Sequence, residues 1–219
     1  MKAIILAAGK GKRFGEITKT LPKPLIKLGD NTLIEHNILL LKKHGFNDLV
    51  INVSHLSDMI IDFLGNGKKY NINIQYSIEK PVPYETGGGI QNALHLLGEK
   101  PFLVINSDIY TNCNLSNISI EKSDLASIVM VKNPEHHIDG DFSLINRRVT
   151  LANSNTMTYA GIGIYNPLIF SGMKSKTYKL SEILLKNINK NKISGLEHKD
   201  IWFDVGDSKK LANVNKLFF

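Results

Sequence analysis

The residues at the start of the chain have the types and spacing of a polyphosphate-binding loop. An apolar run over residues 3–8 is followed by Gly9, Gly11 and Arg13, and then by Lys23 between two prolines. A glycine turn that leaves a buried strand lets backbone N–H groups approach a phosphate without a Cβ in the way. Arg13 offers a planar fork of donors to phosphate oxygens, and Lys23 offers a compact charge. The stretch therefore predicts a loop that holds a triphosphate.

Two common phosphate-binding motifs do not match this stretch. A P-loop requires G-x-x-x-x-G-K-[ST], and no glycine–lysine pair of the chain is followed by Ser or Thr at that spacing. The dinucleotide motif G-x-G-x-x-G fails at its last position, where this chain has Phe14. An ordinary strand-to-helix loop with solvated lysines is the remaining alternative. Arg13 and the proline-flanked Lys23 favour the triphosphate interpretation over it.

A second candidate feature is a pair of distant carboxylates. Asp108 follows a buried apolar run at residues 102–105, and ligands of open parallel sheets bind outside the carboxyl ends of the strands. Asp204 is the other carboxylate, and Mg²⁺ prefers one or two carboxylates together with phosphate oxygens and waters. The adjacent His136 and His137 would point to opposite faces of a strand. We therefore predict a magnesium site at the aspartates and only a local or substrate-facing role for the histidines.

Composition restricts the partners of the protein. The formal net charge is +7 over 219 residues, but the lysines are scattered rather than gathered with aromatic residues, which excludes nucleic acid as the main partner. The single cysteine, Cys113, excludes an internal disulfide and any C-x-x-C metal motif, and we interpret it as a packing residue. The chain start lacks a signal-peptide layout, and no apolar run approaches the roughly 18 residues that span a bilayer. We expect a cytoplasmic protein with no membrane partner, either a monomer or a weak homodimer.

Strand and helix patterns alternate along the chain and predict an α/β fold, in which helices flank a mixed, mostly parallel sheet. The predicted strands are 3–8, 48–53, 72–76, 102–105, 126–131, 142–145, 149–151, 158–165 and 192–197. The predicted helices are 33–44, 57–64, 89–97, 178–189 and 208–218. No linker, repeat or low-complexity tract interrupts them, so we expect one domain over residues 1–219.

These motifs also resemble a known family. Residues 6–25 read L-A-A-G-x-G-x-R-(x)8-P-K-P-L, which is similar to the signature of the sugar-1-phosphate nucleotidyltransferases. The resemblance spans essentially the whole chain through Glu85-Thr86-Gly87-Gly88-Gly89, Asn106-Ser107-Asp108, Gly140-Asp141-Phe142 and Trp202-Phe203-Asp204-Val205-Gly206. The glycine run and residues 133–142 resemble one branch in particular, the N-acetylmuramate α-1-phosphate uridylyltransferases of bacterial cell-wall recycling.

The resemblance implies a Rossmann-like, GT-A-like nucleotidyltransferase fold with a nucleotide-binding half, 1–110, and a sugar-binding half, 111–219. It implies catalytic roles for Arg13, Lys23 and Asp108, and magnesium ligation by Asp108 and Asp204. The nucleotide-binding residues are then Leu6, Ala8, Gly9, Gly11, Lys12, Arg13, Lys23, Glu79, Glu85, Thr86, Gly87 and Asn106. The sugar-binding residues are Asn106, Asp141 and Gly161. One departure is Ser107, where the family usually has glycine; serine keeps the turn only if its φ is negative.

The function that follows is a magnesium-dependent transfer of UMP from UTP to a sugar 1-phosphate, with N-acetylmuramic acid 1-phosphate as the expected sugar. A guanylyl- or thymidylyltransferase acting on heptose, mannose or glucose 1-phosphate would carry similar motifs. A non-catalytic nucleotide-sensing module and a glycosyltransferase are alternatives of other classes. The first would lack Lys23 or a metal aspartate, and the second would use the D-x-D spacing of Asp139-Gly140-Asp141 but would leave the triphosphate loop without a purpose.

Overall fold

Helices cover both faces of a mixed β-sheet in the computed structural model, which describes residues 1–81, 83–151, 155–173 and 175–218. The strands are β1 (Ala3–Leu6), β2 (Lys27–Leu28), β3 (Asn31–Thr32), β4 (Asp48–Val53), β5 (Asn73–Ile78), β6 (Phe102–Asn106), β7 (Ile109–Thr111), β8 (Ala126–Val131), β9 (Phe142–Ile145), β10 (Arg148–Leu151), β11 (Thr156–Tyr165), β12 (Ile193–Glu197) and β13 (Trp202–Asp204). The α-helices are α1 (Ile17–Thr20), α2 (Leu33–Lys43), α3 (Ser57–Leu64), α4 (Glu85–Leu97), α5 (Leu180–Ile188) and α6 (Ser208–Phe218).

The main sheet, within the described part of the chain, has the strand order β5-β4-β1-β6-β11-β8-β12-β10-β9. Strands β5, β4, β1 and β6 are parallel to one another. Strand β11 runs antiparallel to both β6 and β8, and β12 is parallel to β8. The α/β class with a mixed sheet is therefore confirmed. Because β1 lies between β4 and β6, the carboxyl ends of these three strands open at one edge of the sheet.

The alternation of side chains along β1 divides the core into two layers. Ala3 and Ile5 face a cluster that contains apolar residues of α2 and α3. Ile4 and Leu6 face the opposite cluster, which contains apolar residues of α4 and α5. Successive strand residues point to opposite faces, so a strand that is apolar at every position must be covered on both sides. This burial fixes β1 in the centre and with it the loop that follows.

A third, smaller cluster joins the two ends of the chain. Phe14, Val205 and Val214 are all buried in it, together with Ile26, Leu28 and Leu33. Phe14 follows Arg13, Val205 follows Asp204, and Val214 lies on α6. The packing of these apolar side chains thus holds the amino-terminal loop against the segment that contains the second aspartate.

Most predicted elements are confirmed to within a few residues, and α4 is the clearest difference. Helix α2 begins with a capping box between Thr32 and Glu35. Helix α4, however, begins at Glu85 rather than at residue 89. Glycines are poor helix formers, which is why the pattern indicated a later start. Among the described residues, no helix combines the length and apolar character that a membrane-spanning segment needs.

Candidate active site

The loop after β1 combines a left-handed turn with open space. Gly11 has a φ of 63°, and a Cβ there would lie 2.9 Å from the Cβ of Lys23 and 2.9 Å from Cγ2 of Thr18. The Thr18 hydroxyl donates to the Gly11 carbonyl over 3.0 Å and holds the turn. A Cβ at Gly9, by contrast, would meet no described heavy atom within 4 Å. Gly11 is therefore required by the protein itself, whereas Gly9 faces space that a ligand can enter.

Arg13 extends from this loop towards the carboxy-terminal segment. Its guanidinium packs against Gly206, where a Cβ would lie 2.8 Å from Nη1 of Arg13. The neighbouring Asp207 has a lowered pKa, because it accepts a hydrogen bond from the Lys210 N–H and faces the charges of Lys210 and Arg13. Arg13 itself is exposed. The guanidinium is thus supported by its contact with Gly206, and its solvent-exposed side can bind an anion.

Lys23 and Asp108 form the closest ion pair of the site. Lys23 begins a short 3-10 helix (Lys23–Leu25) whose backbone is set by the prolines on either side, and it is only 8% exposed. Its Nζ donates to Asp108 Oδ2 over 2.6 Å. Asp108 lies in the turn between β6 and β7, at the edge where β1 also ends. The sequence prediction that these two distant residues share a site is therefore consistent with their contact.

Asp204 is brought next to Asp108 by a two-stranded sheet that the sequence analysis did not predict. Strand β13 pairs antiparallel with β7, which places Asp204 opposite Ile109, and the Val205 N–H donates to the Asp108 carbonyl over 2.8 Å. The Asp204 carboxylate has its own cationic partner, because Lys210 Nζ lies 2.8 Å from Oδ1 and 2.7 Å from Oδ2. The two aspartates thus occupy adjacent backbone positions, each with a lysine.

A cavity of about 560 Å³ opens at the carboxyl ends of β1, β4 and β6. Most of the predicted site residues line it. They are Leu6, Ala8, Gly9, Gly11, Lys12, Arg13, Lys23, Glu79, Glu85, Thr86, Asn106 and Asp108. The lining is completed by residues to which the sequence analysis gave no binding role, Lys10, Pro24, Asn52, Pro83, Ser107 and Gly206. Of the described residues that it did name, Gly87, Asp141, Gly161 and Asp204 lie outside the cavity lining.

The floor of the cavity contains a buried polar chain of hydrogen bonds. Asn52 Oδ1 accepts from the Ala7 N–H over 2.8 Å, and Asn52 Nδ2 donates to Glu79 Oε1 over 2.6 Å. The Tyr84 N–H donates to Glu79 Oε2 over 2.6 Å. Burial raises the pKa of the Glu79 carboxyl, and these two hydrogen bonds oppose the rise. These hydrogen bonds link the loop after β1 to the segment that precedes α4.

The glycine run of α4 allows close packing against neighbouring residues and does not line the cavity. A Cβ at Gly87 would lie 2.4 Å from the Tyr178 ring, one at Gly88 1.9 Å from the Lys176 carbonyl oxygen, and one at Gly89 2.4 Å from Glu79 Oε1. Gly87 was predicted to bind nucleotide; it lies outside the cavity lining and packs against Tyr178. Close approach of these neighbours explains why three glycines are tolerated in the first turns of a helix.

Asn106 and Gly161 meet at the edge of the cavity. Gly161 has a φ of 73°, and a Cβ there would lie 2.6 Å from Asn106 Nδ2. Strand β11 carries a register irregularity between Tyr159 and Gly163, which explains this bend in the backbone. Gly161 thus makes room for Asn106, which itself lines the cavity. Ser107 has no positive φ, so the serine in place of the family's usual glycine keeps the turn.

Asp141 lies in the loop before β9, beyond the cavity lining. Its Oδ2 accepts from the Tyr159 N–H over 2.8 Å, and its Oδ1 lies 3.1 Å from His137 Nε2. His136, the next residue, contacts Asp204 instead, with Nε2 at 3.3 Å from Oδ1. The two histidines therefore have different partners, but they lie in the loop between β8 and β9 and not in a strand as the sequence analysis assumed.

Two residues that hydrogen-bond to predicted site residues, Asn52 and Lys210, were given no role by the sequence analysis. The sequence does mark Asn52, which interrupts the apolar run of strand β4 between Ile51 and Val53 and is buried there. No sequence signal marks Lys210, because it is one of many lysines and only the tertiary structure brings it to Asp204.

An α/β fold with a glycine loop, a buried lysine and carboxylates at the strand ends is typical of phosphate-binding proteins, and comparison with known proteins shows the family. Residues 2–148 match the family model described as Nucleotidyl transferase. The chain therefore belongs to the nucleotidyl transferase family, which confirms the family resemblance, and it is an enzyme.

Individual relatives agree with this assignment. The chain is 40% identical to the N-acetylmuramate alpha-1-phosphate uridylyltransferase of Neisseria meningitidis serogroup B, over 99% of this chain and 98% of that protein. It is 29% identical to the mannose-1-phosphate guanyltransferase of Schizosaccharomyces pombe, of whose length it spans 64%. A Bacillus anthracis structure, solved as a candidate glucose-1-phosphate thymidylyltransferase, superposes with a TM-score of 0.87 at 21% identity, over 99% of this chain and 94% of that one. The last comparison supports the fold alone.

Proposed function

We propose that this enzyme joins UTP to N-acetylmuramic acid α-1-phosphate in a magnesium-dependent reaction that yields the UDP-sugar and pyrophosphate. The observation that carries the proposal is the cavity in which Lys23 faces Asp108 beside the glycine loop. The choice of nucleotide and sugar is supported by the 40% identity to the meningococcal uridylyltransferase over nearly the whole of both chains. We assign the reaction to the cytoplasm, where UTP is available, and to the recycling of cell-wall sugars.

The proposed chemistry is a displacement at the α-phosphorus of UTP. A phosphate oxygen of the sugar 1-phosphate forms the new P–O bond, the bond to the β-phosphate breaks, and pyrophosphate leaves with the electron pair. Such a reaction needs in-line positioning and charge neutralisation more than proton transfer. We assign Arg13 and the backbone of Gly9 and Gly11 to the leaving pyrophosphate. Lys23, buried and held by prolines, is assigned to the space between the α-phosphate and the incoming phosphate.

Asp108 and Asp204 are the residues that would hold Mg²⁺. Their oxygen ligands suit this hard cation, which commonly takes one or two carboxylates and completes its shell with substrate phosphates and waters. Across the residues that the structure describes, no cluster of three or more His, Cys, Asp or Glu side chains is placed to hold a metal by itself, in keeping with such a shared shell. When bound, the cation neutralises phosphate charge.

The remaining predicted residues are assigned by their position. Leu6, Ala8 and Glu79 line the part of the cavity that we assign to the base, and Glu85 and Thr86 lie at the start of α4 beside it. Asn106 is assigned to both substrates because it faces the cavity at the boundary between the two halves of the chain. Asp141 and Gly161 are assigned to the sugar side, Asp141 as a direct acceptor and Gly161 through the room it makes for Asn106.

The test is pyrophosphate release with a panel of nucleoside triphosphates and sugar 1-phosphates. We expect release with UTP and N-acetylmuramic acid 1-phosphate, and its loss in Asp108→Asn. Efficient turnover of GTP or dTTP with a neutral sugar phosphate, and none of UTP, would overturn the substrate assignment. Nucleotide binding without pyrophosphate release for any pair would overturn the proposed activity and favour a sensing module.

A further inference from the structure

Lys210 forms a cationic contact that the proposed reaction has not yet used. It lies in the first turn of α6, and its Nζ donates to both oxygens of Asp204 over 2.8 and 2.7 Å. The same Nζ lies 2.8 Å from His136 Nε2. The side chains of Lys210 and Asp204 are 21% and 25% exposed, so the pair is partly buried but open on one side. An ammonium, an imidazole and a carboxylate therefore meet at Asp204, whose backbone position adjoins that of Asp108.

The site contains two lysine–aspartate pairs of the same kind. Lys23 holds Asp108 and Lys210 holds Asp204, and the two aspartates lie in neighbouring positions across β7 and β13. Each aspartate that binds a divalent cation must release at least part of its contact with the lysine. Because an ammonium on a flexible four-carbon stem is a mobile point charge, each lysine is then available to another anion. In the proposed reaction Lys23 already has an anionic partner, because it lies between the α-phosphate and the incoming phosphate.

The second substrate supplies an anion for the other lysine. A phosphate monoester carries a charge of about −1.5 to −2 near neutral pH, and the cations Lys12 and Arg13 line the cavity on the side of the glycine loop. Lys210 and His136 both contact Asp204 and are not among the residues that line this cavity. His136 belongs to the loop that also contains Asp141, the residue assigned to the sugar. With Lys12 and Arg13 assigned to the triphosphate, Lys210 and His136 remain as donors for a second phosphate.

We propose that Lys210 and His136 form the binding site for the phosphate of the sugar 1-phosphate, with Lys210 passing from Asp204 to that phosphate when substrates bind. This inference rests on the proposed function. It assigns a substrate contact to α6, an element that the sequence motifs leave without a role, and it makes Lys210 a residue that determines affinity for the acceptor rather than for the nucleotide.

The experiment compares Lys210→Met with Lys209→Met, an exposed neighbour on the same helix. We expect Lys210→Met to raise KM for the sugar 1-phosphate at least tenfold and to leave KM for UTP within threefold, whereas Lys209→Met changes neither. Lys210→Arg should recover part of the acceptor affinity. Titration of the nucleotide-free protein with Mn²⁺, followed by electron paramagnetic resonance, should give equal or tighter binding in Lys210→Met, because an ammonium that competes for Asp204 is gone.

Three results would overturn the inference. An unchanged KM for the sugar phosphate would show that Lys210 only ties α6 to β13, and an equal rise in both KM values or weaker Mn²⁺ binding would assign it to the metal or the nucleotide. If Lys210→Met does not fold, His136→Asn gives the same comparison at a side chain that is 45% exposed. A wild-type enzyme that uses no sugar 1-phosphate would instead refute the proposed function, so the two failures are distinguishable.

Discussion

At the scale of single residues, Lys23 is the side chain on which the proposed chemistry most depends. Lys23→Met keeps the length and apolar stem but removes the charge that faces Asp108 at 2.6 Å. Removal of one preorganised donor to a developing charge typically costs about 10²–10³ in kcat, and we expect a loss of that size. The unpaired Asp108 should also lower the free energy of unfolding by about 1–3 kcal/mol.

Steady-state kinetics and urea unfolding measure both effects, and Lys27→Met, at an exposed lysine of β2, is the control. A Lys23→Met enzyme with near-normal kcat would remove Lys23 from the reaction.

Glu79 should make stability depend on pH in a direction opposite to that of most surface carboxylates. Burial raises its pKa in the folded protein above the value of about 4.3 that we expect in the unfolded chain. The folded state then holds the proton more tightly, so this stabilising contribution is complete below about pH 4.3 and is lost as pH rises through the raised pKa. The difference in unfolding free energy, Glu79→Gln minus wild type, should increase with pH. Urea unfolding between about pH 4 and 8 checks this, and a flat or falling difference would contradict it.

At the scale of elements, the polar chain beneath the cavity couples β4 to the segment before α4. Asn52→Asp replaces the donor to Glu79 with a second carboxylate, and Glu79→Gln places an amide donor opposite the amide of Asn52. Each single change should destabilise the protein by about 1–3 kcal/mol. The double variant restores the pairing with reversed roles, because the carboxylate introduced in β4 accepts from both the Ala7 N–H and the amide introduced in place of the Glu79 carboxyl.

A double-mutant cycle of unfolding free energies should therefore give a favourable coupling of about 0.5–3 kcal/mol, and simple additivity would argue against a direct bond.

Helix α4 and the loop after β1 use glycine for different reasons, and substitution separates them. Gly88→Ala places a Cβ 1.9 Å from a backbone carbonyl oxygen, so we expect a loss of about 3 kcal/mol or more. Gly9→Ala meets open space and should change stability by less than about 1 kcal/mol, but raise KM for UTP roughly tenfold by blocking the phosphate. Thermal unfolding and kinetics distinguish the two; a Gly88→Ala protein as stable as wild type would mean that α4 shifts easily.

The same elements show what the sequence could and could not predict. Strands β4 and β8 have their predicted bounds because each is a short, mostly apolar run rich in β-branched residues, and such a run predicts a buried strand. The cavity residues from the first glycine motif were predictable because a strand, a tight turn and two cations are local in sequence. The pairing of β7 with β13 was not, since each is short and their contact joins distant parts of the chain. Lys210 depends on that pairing and so could not be found.

At the scale of the whole molecule, the site is assembled by a cluster that joins the two chain ends. Val214 on α6 is fully buried against Phe14, Val205 and their neighbours, and these residues adjoin Arg13 and Asp204. Val214→Ala should lower the free energy of unfolding by about 2 kcal/mol through lost burial and a small cavity. It should also raise KM for UTP several-fold at temperatures where the protein stays folded, because the loop loses its support.

Val149→Ala is the matched control, since Val149 on β10 is similarly buried but belongs to the cluster that contains apolar residues of α4 and α5. It should lose similar stability and keep the wild-type KM. Equal kinetic effects of the two variants would mean that KM follows global stability, and that the contact between the chain ends has no special part in positioning Arg13. A kinetic effect confined to Val214→Ala would instead mean that affinity for the triphosphate depends on packing between the first and last segments of the chain.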